Sequence, residues 1–188
     1  PSNLEERFTP TIRTVLDGWR SIGLNLAAVT TSYLDAMTAL NERYDPTGLH
    51  GQDNLFRYQF NLPVLVLAFD GYEPQHLAAI HLALMISGNP FEIVAVGRPN
   101  SSNPVSIRHV LGNNVADRNW QSIIARGEYG HIRVLGAVPD TVFPAAAQAA
   151  RCVDTSPVLW GGSELKKYAQ EQSISIDYHR YGHLGLRE

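Results

Sequence analysis

The chain has 188 residues, 15 Lys and Arg against 18 Asp and Glu, a formal net charge of -3 and 44% hydrophobic residues. That length can bury a full core without staples, and the slight acidic balance gives no basic footprint for nucleic acid. The single cysteine, Cys152, excludes an internal disulfide framework and fits a reducing compartment. No apolar run reaches the roughly 18 residues of a membrane helix. The start, Pro1-Ser2-Asn3, has neither an initiator Met nor a signal-peptide pattern, so we read the sequence as a piece of a longer chain.

Leu4, Phe8, Ile12, Val15, Leu16 and Trp19 recur at helical spacing, with Thr9 as cap and Pro10 in the first turn. Leu24 to Tyr44 reads as a second helix, with Leu26, Val29, Tyr33, Met37 (or Ala36), Leu40 and Tyr44 on one stripe. Residues 45–54 (DPTGLHGQDN) read as a loop and Phe56–Phe60 as a half-exposed strand. The segment 63–69 (PVLVLAF) is short and continuously apolar, as a strand buried on both faces must be. Pro74 opens a helix to about Ser87, with Leu77, Ile80, His81 and Leu84 on one face, and Gly88-Asn89-Pro90 stops it.

Strand and helix then alternate. Phe91–Val96 is a strand, and Gly97–Gly112 a polar loop with room for a turn of helix near Val105–Leu111. A helix is expected over Val115–Arg126, a strand over His131–Leu135 and an alanine-rich helix from Asp140 or Thr141 to Arg151. Val158–Trp160 reads as a short strand and Gly162–Gln172 as a helix with Leu165 and Tyr168 inward. The chain closes on a strand, Ser173–Tyr178, with Ile174, Ile176 and Tyr178 on one face. The order predicts an α/β, Rossmann-like fold: a mostly parallel sheet with helices on both faces, preceded by an N-terminal helical segment. We place the helical segment at 1–50 and the Rossmann-like domain at 51–188.

Such a sheet invites a nucleotide, yet no GxGxxG or GxxxxGK[ST] occurs. After the first buried strand come Asp70, Gly71 and Glu73, whose acids would repel phosphate. After the second come Gly97 and Arg98, weak candidates for an atypical phosphate loop running to Asn103. Asp53, Asp70 and Glu73 sit near expected strand ends, where loop capping explains them as well as chemistry does. For metals, His76 and His81 have the wrong spacing to share a helix face, and His179 and His183 flank Gly182 in extended chain. His81 reads as a hydrogen-bonded core histidine. Cys152 reads as a structural residue at a helix C-terminus, where a thiolate is disfavoured. No catalytic residue and no metal site is expected. The tail Tyr178-His179-Arg180-Tyr181 combines the residue types that anchor protein contacts.

Three stretches carry a resemblance: Ser32–Phe60 (SYLDAMTALNERYDPTGLHGQDNLFRYQF), Gly130–Asp140 (GHIRVLGAVPD) and the tail EQSISIDYHRYGHLG. They resemble the C-terminal region of bifunctional proline-utilisation enzymes of the PutA type. In those, an FAD proline dehydrogenase is fused to an NAD-dependent 1-pyrroline-5-carboxylate (glutamate semialdehyde) dehydrogenase. Some carry an extra C-terminal domain similar in fold to the NAD-binding half of an aldehyde dehydrogenase. The resemblance implies a non-catalytic domain without cofactor of its own, FAD and NAD being bound elsewhere in the parent. It implies a lid over the tunnel that passes the intermediate, packed on the aldehyde dehydrogenase domain through Tyr178, His179, Arg180 and Tyr181. It also implies a cytoplasmic parent, or one peripheral at the inner membrane. The aldehyde dehydrogenase cysteine and glutamate motifs are absent from this sequence. Two other readings stay open: a nucleotide-binding module using Gly97 and Arg98, and an interaction or homo-oligomerisation module using the helices at 10–44 through Val29 and Tyr33.

Overall fold

The computed structural model describes residues 8–100, 110–111, 115–116, 119–157 and 159–177. The chain begins with helices α1 (Pro10–Ser21) and α2 (Ala27–Leu40), then strands β1 (Gln52–Gln59) and β2 (Val64–Ala68). Helix α3 (Pro74–Ser87), β3 (Phe91–Ala95), β4 (Val115–Ala116) and α4 (Trp120–Ala125) follow. Then come β5 (His131–Leu135), α5 (Val142–Gln148), β6 (Cys152–Asp154), α6 (Gly161–Lys166) and β7 (Gln170–Asp177).

Strand β2 shows why the sheet sits where it does. All of Val64–Ala68 is buried, because successive side chains alternate between two apolar layers. Val64, Val66 and Ala68 join a core with α1, α2, α3 and α6. Leu65, Leu67 and Phe69 join a second core with Trp120, Ile123 and Ile124 of α4 and Val142 and Ala146 of α5. Both faces are therefore covered, as an all-parallel sheet requires. The sheet has five strands in the order β4-β3-β2-β5-β6, all parallel, with Val64 level with both Phe91 and His131. Strands on opposite sides of β2 are reached by chain that winds in opposite directions, which is the doubly wound pattern expected from the sequence.

Local chemistry behaves as read at several ends. The Thr9 hydroxyl accepts from the Ile12 N–H at 3.3 Å and Pro10 opens α1. Gly88 closes α3 in the left-handed conformation. Leu165 and Tyr168 are fully buried.

Other expectations are corrected. The strand after α5 is Cys152–Asp154, not Val158–Trp160: Leu159 and Trp160 are exposed, and Val158 lies outside the described residues. Ala150, in the left-handed region at φ 53°, turns the chain early enough for Cys152 to pair with His131. Cys152 is thus exposed on an edge strand rather than at a helix end. The segment after 115 is a two-residue strand, and the helix starts only at Trp120, where the Asn119 side chain accepts from the Gln121 N–H. Helix α6 ends at Lys166, so β7 begins at Gln170. Strand β1 begins at Gln52 within the expected loop. The turn expected within Val105–Leu111 lies mostly outside the described residues.

The largest departure is the place of β7. It does not join the parallel sheet but pairs antiparallel with β1 in a separate two-stranded ribbon, with Gln52 opposite Asp177 and Gln59 opposite Gln170.

Candidate functional site

Open α/β sheets bind ligands outside the carboxyl ends of their strands. Here that mouth is tied shut by its own loops. The Gly71 N–H donates to Arg98 O, the Ala137 N–H to Asp70 O, and the Val96 and Gly97 N–H groups share Ala68 O. A Cβ at Gly97 would lie 2.1 Å from Asp70 N, and one at Gly136 (φ +84°) would lie 2.3 Å from Phe69 O. Glycine is needed at both because backbone packs on backbone.

The sequence candidates fall in this mouth, but not as a phosphate cradle. The Arg98 N–H donates to Asp70 Oδ1 at 2.7 Å, so a carboxylate of the protein already takes the donor a phosphate would use. Glu73 stands at the N-cap of α3 and accepts from the Asn100 side chain at 2.8 Å, while Pro74 removes the first N–H of that helix. A phosphate at Gly97 and Arg98 would meet the Asp70 carboxylate; the remainder of the expected loop, to Asn103, lies outside the described residues. Asp53, by contrast, lies on β1 in the ribbon.

His81 is buried and accepts from the Trp19 indole N–H at 3.2 Å, as a core histidine should. Burial pulls its pKa down to about 4. His76 is not brought to it as a metal pair, and no cluster of metal-ligating side chains occurs among the described residues. A groove of about 420 Å³ lies between α2 and Trp160, lined by Ala28, Thr31, Ser32, Asp35, Ala36 and Gly162.

The strongest polar cluster was not singled out from the sequence. Arg133, fully buried in the middle of β5, pairs with Asp154 at 2.7 Å and Glu164 at 2.9 Å. Lys167 reaches Asp154 at 2.8 Å, and the Tyr168 hydroxyl donates to Glu164 at 2.5 Å. Burial first, opposed by Arg133 and reinforced by Glu164, holds the Tyr168 hydroxyl well above its ordinary pKa. Tyr33 is raised by burial and then by the Glu164 charge. The visible signal was a cation inside the apolar strand His131–Leu135 and a glutamate four residues before an inward tyrosine. Tyr33 is fully buried beside this cluster, so it cannot be the surface anchor for a partner that the sequence suggested.

The ribbon is the other feature, and its two edges differ. Along β1 three outward positions are partnered: the Gln52 N–H by Leu49 O, the Asn54 N–H by the Asp45 carboxylate at 3.1 Å, and Phe56 by a two-way bridge to Tyr44. Asp45 also accepts from the Thr47 and Gly48 N–H groups, and these backbone bonds hold its carboxyl well below the usual range. By the alternation of an antiparallel ladder, Glu171, Ser173, Ser175 and Asp177 point their backbone groups away from β1. Among the described residues no strand covers that edge. Ile176 is 48% exposed and Ile174 half-buried on one face. Strand β7 leads directly into Tyr178, His179, Arg180 and Tyr181, which lie outside the described residues.

No family model and no curated protein matches the chain. Among solved structures, proline utilization A (PutA) from Corynebacterium freiburgense matches at 20% identity and a TM-score of 0.63, over 94% of this chain and 15% of that one. This chain shares the fold of that PutA region. PutA from Bdellovibrio bacteriovorus matches at 15% identity and TM-score 0.46, over 71% of this chain and 15% of that one. An aldehyde dehydrogenase from Bartonella henselae matches at 11% identity and TM-score 0.47, over 81% of this chain and 39% of its own. At those two scores the likeness carries no argument. The chain thus spans 15% of the length of the PutA whose fold it shares. No described helix is long and apolar enough to cross a membrane.

Proposed function

We propose that this chain is a non-catalytic C-terminal domain of a bifunctional, cytoplasmic proline-catabolic enzyme of the PutA type. In this reading it packs on the NAD-dependent aldehyde dehydrogenase domain and covers the tunnel that passes the intermediate. The observation that carries the reading is the ribbon. Its β1 edge is partnered by the preceding segment at Gln52, Asn54 and Phe56, whereas among the described residues no strand covers the β7 edge, which leads toward the expected contact residues Tyr178–Tyr181. An exposed strand edge is a ready template for another strand, and natural proteins seldom leave one uncovered. The fold shared with one PutA over 94% of this chain supports the parentage. The closed carboxyl-end mouth, with Asp70 on the Arg98 N–H, supports a cofactor fold used for its shape, with FAD and NAD bound elsewhere in the parent.

The test is the parent enzyme ending at Asp177. Each half-reaction should keep its rate with saturating substrate, while the coupled conversion of proline to glutamate should slow and show a lag as intermediate escapes. Coupled kinetics identical to the intact enzyme, with no lag, would remove the tail from the mechanism.

A further inference from the structure

Asn89 was legible in the sequence only as part of a helix stop, Gly88-Asn89-Pro90. In the structure it is 3% exposed, and its side-chain amide makes two separate donations. Nδ2 donates to Leu62 O at 2.9 Å and to Tyr168 O at 3.0 Å. Leu62 lies just past the end of β1, and Tyr168 just before the start of β7. One side chain therefore ties together the two roots of the ribbon.

We propose that Asn89 is a positioning residue that fixes the direction in which the β1–β7 ribbon leaves the domain. Three observations support this. First, Asn89 is itself held rigidly, between the Gly88 cap and Pro90, whose carbonyl accepts from the Val64 N–H at 2.8 Å. Second, its Oδ1 is buried with no hydrogen-bond partner among the described residues. A buried amide that leaves one group unsatisfied is costly, and here only its two N–H donations offset that cost. Third, the ribbon's other described ties to the domain lie on β1, where Tyr58 packs on the core beneath Lys166 of α6 and Tyr44 bridges Phe56. Its strands pack chiefly on each other, and a two-stranded ribbon alone is marginal in water. Each root is anchored separately. Leu62 lies against Gly130, where a Cβ would come within 2.8 Å of Leu62 Cδ2, and the Tyr168 hydroxyl is bonded to Glu164. The strand pair sets Gln59 opposite Gln170, and Asn89 holds both roots to the end of α3. No other residue type of that size presents two N–H donors from one planar nitrogen without a charge.

The importance of this aim for docking rests on the function proposed above, but the measurement does not. Spin labels go on the native Cys152, exposed on β6, and on Ser173→Cys, exposed at mid-ribbon. Pulsed electron resonance then reads the distance distribution between core and ribbon. Asn89→Ala should widen that distribution at least twofold while the near-ultraviolet signal of the buried Trp19 stays native. Asn89→Ser, which keeps one donor, should fall between the two and serves if the alanine variant folds poorly. An unchanged width in both variants would overturn the proposal. So would widening that appears only together with loss of the Trp19 signal, since that would be general loosening rather than lost aim. If the aim holds and the truncated parent still couples normally, the clamp stands and the docking role falls.

Discussion

Strands β2 and β7 lie in one chain and are built on opposite terms. Every residue of β2 is buried between two apolar layers, and its backbone is paired on both sides by β3 and β5. Strand β7 is mostly exposed, paired among the described residues with β1 alone and rooted through polar groups: Asn89, Tyr168 and Glu164. The sheet holds itself by burial, which needs no particular direction. The ribbon offers less apolar area, with Tyr58 of β1 packed on the core, and adds hydrogen bonds at its base. The same contrast separates the two ends of the sheet. At the carboxyl ends, glycine and backbone close the mouth; at the amino ends, the polar roots of the ribbon are assembled.

The largest effect should come from the buried ion cluster. Arg133→Leu would remove the buried partner of Glu164, leaving Lys167 at 3.8 Å, and loss of one partner of a buried pair costs about 3–5 kcal/mol, measurable by chemical denaturation. A loss below about 1 kcal/mol would show that the cluster does not hold α6 to the sheet. Gly136→Ala forces a left-handed residue and a Cβ against the Phe69 carbonyl, which should cost on the order of 2–3 kcal/mol in the same measurement. Near-neutral stability there would mean the mouth can open, and the dinucleotide question would return with it.

Acid should weaken the core before it touches the ribbon. His81 has a folded pKa of about 4 and an unfolded value of 6.5. The unfolded chain therefore binds the proton first. Stability is complete above the unfolded value and falls as pH drops from 6.5 toward 4, by up to roughly 3 kcal/mol. His131, pulled down to about 4 chiefly by burial, acts in the same direction. His81→Gln should lower stability at pH 7 and flatten this slope; an unaltered slope would place the loss on other groups.

Two predictions expect small numbers. Ile176→Ser on the exposed ribbon should change stability by less than about 0.5 kcal/mol and, on the function proposed above, weaken association with the dehydrogenase portion of a PutA-type parent. Titration with NAD should leave the melting temperature unchanged. A ligand at a hundredfold excess over its Kd would add about 2.7 kcal/mol, so a rise of several degrees would refute the reading of the mouth.

How far the residues spoke for themselves depended on how local the cause was. The run PVLVLAF announced a doubly buried strand, Thr9 the cap of α1 and Gly88 the stop of α3, because each acts within a turn of its own position. The apolar alternation of β7 announced a strand but not its neighbour: partner choice is a long-range matter, and Ile174 and Ile176 fit either sheet. Strand β6 was misplaced because Val158–Trp160 is more apolar than Cys152–Asp154, yet Ala150 turns the chain in time for the latter to reach β5. The candidates Gly97 and Arg98 were rightly located at a strand end. What occupies the Arg98 N–H could not be read, since Asp70 arrives from another strand.

By itself, then, the sequence determined the alternation of strands and helices, the doubly covered sheet and the absence of a glycine-rich phosphate motif, all of which follow from period, composition and short-range sterics. The tertiary structure alone decided that β7 leaves the sheet for β1, that Arg133 meets Glu164 at 2.9 Å in the core, and that Asn89 joins Leu62 to Tyr168. The physical reason is that a hydrogen bond or ion pair between distant residues leaves no periodic trace in the chain: it exists only once burial has brought the partners together.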